Sequence, residues 1–161
     1  ADSACIAVAG AGSIIRLWRA ENSLDFASEI IGETAGRGND ALRAVISPSG
    51  SFLATSAYSG SEIASTVALC DLESMTKTQS VFIPGVRATC FALSPDGKQL
   101  VIGDHKGRIR LFQEADHFSI HRDLVPRGIA SSTTVLSAAF DPTCRVVAFA
   151  CQDGRLDLRT L

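Results

Sequence analysis

The sequence predicts an all-β fold built from a repeated antiparallel unit, on three observations. Short proline motifs recur at Ser47-Pro48, Ser94-Pro95 and Asp141-Pro142, with successive prolines 47 positions apart. Each motif follows one apolar run and precedes a turn, a second run and a third. The runs are short and rich in Val, Ile, Phe and Thr, with Pro-Ser-Gly, Pro-Asp-Gly and Gln-Asp-Gly turns between them.

The elements follow in order. At the N-terminal end, Ile14 to Trp18 lines up with Arg108 to Phe112, because Leu17 and Leu111 are 94 residues apart, twice the period. The first full unit has runs at Leu42 to Ile46, Phe52 to Ala57 and Thr66 to Leu72. The second has Ala88 to Leu93, Leu100 to Gly103 and Arg108 to Phe112. The third has Val135 to Phe140, Val146 to Cys151 and Arg155 to Leu158. The first full unit carries five extra residues around Tyr58 to Glu62, a Ser/Gly-rich stretch expected to be a loop insertion. Pro95 to Gly97 suits a tight turn, since proline presets φ and glycine accepts positive φ. No apolar stripe of 3.6-residue period extends over several turns, and the Pro/Gly spacing argues against paired long helices.

Periods near 45 with several strands per unit point to propeller blades. The expectation is a β-propeller fragment of four-stranded antiparallel blades, about three and a half in number. Partial blades fall at 1–31 and 134–161, and complete ones at 41–83 and 86–122. Open blades leave apolar faces and strand edges unprotected. The expected arrangement is therefore a segment of a longer propeller, or one closed by another chain.

Composition narrows the function. Apolar residues make up 46% and charged residues 20%, the balance of a globular domain. The net charge of −2 is not the strongly basic footprint of a nucleic-acid-binding domain. Cys5, Cys70, Cys90, Cys144 and Cys151 form no C-x-x-C pair. They read as buried thiols in a reducing compartment, so the expected location is intracellular, either cytoplasmic or nuclear/nucleolar.

The order of apolar strand, Ser/Asp-Pro turn, apolar strand, Asp-Gly-type turn and Ile-x-Leu-aromatic resembles the WD-repeat β-propeller family. The best matches are Ile14 to Trp18, Phe91 to Gly97 and Gly107 to Phe112, and the resemblance covers nearly the whole chain. The signature Trp-Asp pair is not intact: its positions hold Trp18-Arg19, Cys70-Asp71, Phe112-Gln113 and Arg159-Thr160. The family's turn aspartate survives as Asp153, while Gly12 and Lys106 stand at that place in other units. A largely absent buried polar network is expected, with blades relying on apolar packing. The resemblance implies a non-catalytic scaffold that holds other proteins of a large assembly, without a cofactor. Its alternative is an RNA-associated propeller of a ribosome-assembly particle.

Individual residues give the candidate surfaces. Lys106, Arg108 and Arg110 alternate along a strand, with Arg16 equivalent to Arg110. They read as a basic strip for an acidic partner or RNA backbone, or as a solvated strand face. Arg37, Tyr58, His105 and Lys106 sit on expected rim loops and, with Arg108 and Arg110, form the partner-binding set. The Gly32 to Asp40 stretch lacks the Gly-Lys-Ser/Thr ending of a phosphate loop and reads as a rim loop. His117 and His121, flanked by Asp116 and Asp123, share a side if they lie on one strand, but no third metal ligand has matching spacing. Gly-x-Ser-x-Gly is absent and no His pairs by motif with a Ser or Cys, so no catalytic residue is assigned. A site in a central channel is disfavoured, since the innermost strands contribute small residues such as Ala44, Ala92 and Ala138.

Overall fold

A computed structural model describes residues 4–9, 14–20, 24–31, 43–59, 64–74, 76–118, 121–124 and 133–161. Its elements are almost entirely strands, arranged in four antiparallel sheets of three or four strands. The chain divides into two compact units: Ala1–Ile46 with Gly50–Pro84, and Ser47–Ser49 with Gly85–Leu161.

In the first unit, β1 (Ala4–Ala9), β2 (Ile14–Ala20) and β3 (Leu24–Ile31) form one sheet in that order. A second sheet holds β4 (Arg43–Ile46), β5 (Phe52–Ser59), β6 (Ala64–Asp71) and β7 (Thr76–Pro84). Each strand pairs with its neighbour in sequence, as short turns between antiparallel strands require. The β5–β6 hairpin corrects one expectation. Tyr58 is not in a loop: it pairs with Ser65, and Ser59 pairs with Ala64, so β5 extends into the inserted stretch and β6 begins two residues before the expected run.

In the second unit, the third sheet has the order β11-β10-β9-β8. Its strands are β8 (Ala88–Leu93), β9 (Gln99–Asp104), β10 (Ile109–Gln113) and β11 (His121–Asp123). A short 3-10 helix, Glu114–Asp116, separates β10 from β11. His117 follows that helix in the left-handed region, at φ +49°, whereas His121 opens β11. The two histidines therefore do not share a strand. The fourth sheet is β12 (Val135–Phe140), β13 (Val146–Cys151) and β14 (Leu156–Thr160).

The core of this unit joins the facing sides of the third and fourth sheets. Cys90, Val101, Ile109 and Leu111 pack with Val135, Val147 and Phe149, closed by Leu124 just after β11. The approach is close at Gly103, where an added Cβ would lie 2.7 Å from both Cys90 Sγ and Val135 Cγ1. The Thr89 hydroxyl lies 2.5 Å from the Val135 carbonyl and 3.2 Å from that of Gly103, tying the two sheets together.

Two of the proline turns, at Pro95 and Pro142, are built on side-chain hydrogen bonds within this unit. In the third sheet, Ser94 Oγ donates to Asp96 Oδ1 at 2.5 Å and accepts the Gln99 N–H at 2.9 Å. Gly97 closes that turn at φ +74°. In the fourth sheet Asp141 does this alone, accepting the N–H groups of Thr143, Arg145 and Val146 and the Thr143 hydroxyl. Those hydrogen bonds favour the carboxylate and lower its pKa to about 2, led by the Thr143 hydroxyl.

Candidate functional site

Antiparallel alternation gathers one set of loops at one end of the second unit: 85–87 before β8, 104–108 between β9 and β10, 133–134 before β12, and 151–155 between β13 and β14. Their centre is Asp104, whose side chain is fully buried. Its Oδ1 accepts the N–H groups of Lys106 at 2.8 Å and Arg108 at 3.0 Å. Its Oδ2 faces Arg108 Nε at 3.3 Å and Arg110 Nη1 at 3.4 Å. Arg110 also reaches Asp123 Oδ1 at 3.9 Å with Nε. A carboxylate is stable at such depth because charge and directed N–H groups replace its lost hydration.

Around this centre the loops lock together. The His105 N–H donates to the Arg87 carbonyl at 3.1 Å, and the Arg87 N–H lies 3.2 Å from His105 Nδ1. Thr134 Oγ1 donates to the His105 carbonyl at 3.3 Å, and the Gln152 N–H to the Thr134 carbonyl at 2.9 Å. Lys106 Nζ rests 3.5 Å from the Gly85 carbonyl. Gly107 is required twice over, by its φ of +79° and by the Thr133 carbonyl, which would lie 2.7 Å from a Cβ.

This geometry corrects the expected basic strip. Lys106 is exposed and the Arg108 side chain is half exposed, but Arg110 is buried and committed to Asp104. Lys106, Arg108 and Arg110 therefore do not present three equivalent charges to a partner. It also corrects the expectation that buried polar contacts are largely missing. Lys106 does stand where the family's turn aspartate is expected, but Asp104, two residues earlier, organises the turn instead. Of the other expected partner residues, His105 is half-buried with its ring at Arg87, and Tyr58 lies on β5. Arg37 and the Gly32 to Asp40 loop lie outside the described residues. Arg87 and Asp104 carry no motif that singles them out in the sequence, whereas Asp123 stands out there only beside His121 and Arg155 only as the start of a strand run.

Among the described residues, no group of three or more His, Cys, Asp or Glu is placed to hold a metal ion. Burial raises the Cys70 thiol pKa, and burial followed by the nearby Asp153 and Asp157 raises that of Cys151. Both are poor thiolates near neutral pH.

Residues 80–113 match the family model for the WD domain, G-beta repeat. The match opens on β7 and closes at the end of β10, so it contains the Asp104 turn. Residues 80–113 are thus similar to a WD repeat, and the antiparallel three- and four-stranded sheets are consistent with a partial β-propeller. No curated relative matches it. WD-repeat domains are generally non-catalytic and mediate protein–protein interactions, so protein partners are the general expectation for these blades.

Proposed function

We propose that this chain is a non-catalytic intracellular WD-repeat scaffold within a multisubunit assembly, and that its fourth sheet seats a further sheet from the same gene product or another chain. The observation that supports this reading is a failure of equivalence between two sheets. Ile109 and Leu111 are 1% and 3% exposed beneath the fourth sheet. Their counterparts one 47-residue period later, Leu156 and Leu158, are 71% and 62% exposed. Leu136 is also half exposed. Exposed leucines grouped on one sheet face mark a surface that is covered in use.

A photo-crosslinking residue at position 158, in the protein assembled in its own cells, tests the proposal. It should capture a β-rich neighbouring segment, and L156E/L158E should abolish capture from a reporter at position 136 while the β circular-dichroism spectrum remains. A monomer that purifies alone and gives no cross-link overturns the reading.

A further inference from the structure

We infer that the loop end formed by 85–87, 104–108 and 151–155 is a docking surface for an acidic peptide segment of a protein partner. This surface differs from the leucine face and rests on charge, so either proposal can fail without the other.

The net charge of the chain is −2, but charge is divided unevenly between the two ends of the second unit. At the loop end, Arg87 and Lys106 are exposed, and the side chains of Arg108 and Arg155 are about half exposed. Of the acids there, Asp104 is buried, Asp153 is 31% exposed and paired with Arg155 at 3.1 Å, and Asp123 is 58% exposed and faces the buried Arg110 at 3.9 Å, so the exposed cations outnumber the exposed acids. The opposite end differs. Its turns carry Lys98 and Arg145 against Asp96, Glu114 and Asp141 among the described residues. Cationic character is therefore concentrated at one end.

The cations stand on a preformed base. Asp104 fixes the Lys106 turn, Gly107 seats it against Thr133, and the His105–Arg87 contacts hold the neighbouring loop. Fixed loops lower the ordering cost of binding. Carboxylates suit the surface better than an RNA backbone. Binding to a phosphate backbone needs a row of exposed cations, and Arg110, the last member of the Lys106–Arg108–Arg110 row, is turned inward to Asp104.

The test is fluorescence anisotropy with the full chain at about 0.15 M salt, where long-range charge effects are already screened. The probes are a labelled Glu-rich dodecapeptide, its Lys-rich counterpart and a single-stranded oligouridine. The Glu-rich peptide should bind, the Lys-rich peptide should not, and R87E/K106E should weaken binding at least about tenfold. K98E/R145E, at the opposite end, should change it less than about twofold. Circular dichroism verifies both variants, and single R87Q and K106Q variants provide the readout if the double variant fails to fold. Equal effects from the two ends, no binding of the acidic peptide, or tighter binding of oligouridine overturns the inference.

Discussion

The β9–β10 and β13–β14 hairpins occupy the same register one repeat apart, yet they solve the turn differently. In the first, Asp104 is buried and binds two backbone N–H groups and two arginines. Position 151, its counterpart, holds a buried cysteine, and the carboxylate moves outward to Asp153, where it meets Arg155 at 3.1 Å. Arg110 likewise gives way to Asp157, which pairs with Arg159 at 2.8 Å. Packing diverges in parallel. β9 is buried along most of its length, whereas β13 alternates buried and half-buried residues and β14 alternates half-buried and exposed ones. Burial on both faces produces near-continuous apolar runs, and burial on one produces alternation. A repeat can therefore preserve backbone register while changing the source of its stability.

The largest expected difference lies in the carboxylates. D104A leaves Arg110 buried without its main partner and should cost about 3–5 kcal/mol, whereas D153A should cost less than about 1 kcal/mol. Urea denaturation of both variants measures the gap, and equal losses would break the comparison. Next comes the apolar face. I109A should cost about 2–4 kcal/mol through lost burial and a cavity, but L156A less than about 0.5 kcal/mol in the uncovered chain. Gly107 and Gly154, again counterparts, both have positive φ, so alanine at either should cost about 1 kcal/mol. Only at Gly107 does alanine also meet the Thr133 carbonyl, adding about 1–3 kcal/mol. Thermal melts of G107A and G154A resolve that difference.

The smallest effect is acid dependence. Asp141 has its folded pKa lowered to about 2. Asp96 is also lowered, first by the Ser94 hydroxyl. A depressed carboxylate pKa contributes stability above the unfolded value near 4, and that contribution disappears as pH falls through the folded value. Denaturation midpoints should therefore decline as pH drops from about 4 towards 2, and D141N should flatten that limb. An unchanged acid limb in D141N would remove Asp141 from the account.

Repeat, strand class and proline turns were legible in the sequence because their signals are local: alternating runs, turn residues and a fixed spacing. The Asp104 centre was not. A family pattern directs attention to Lys106, and only the folded turn shows a carboxylate two residues earlier receiving the same backbone. Arg108 and Arg110 look interchangeable in sequence, but the first reaches solvent and the second is enclosed. Tyr58 misled because Ser and Gly composition suggests a loop, while cross-strand pairing lets the hairpin grow through it. His117 misled because a single helical turn, invisible to alternation, interrupts the strand before β11.

Peptide-resolved amide hydrogen exchange tests the central contrast most directly. At a concentration where the chain is monomeric, amides of β9 and β10 should exchange slowly and together, and those of β14 much faster. Adding the covering partner should slow β14 selectively. Equal protection of β10 and β14 in the monomer, or no response of β14 in the assembly, would contradict the account.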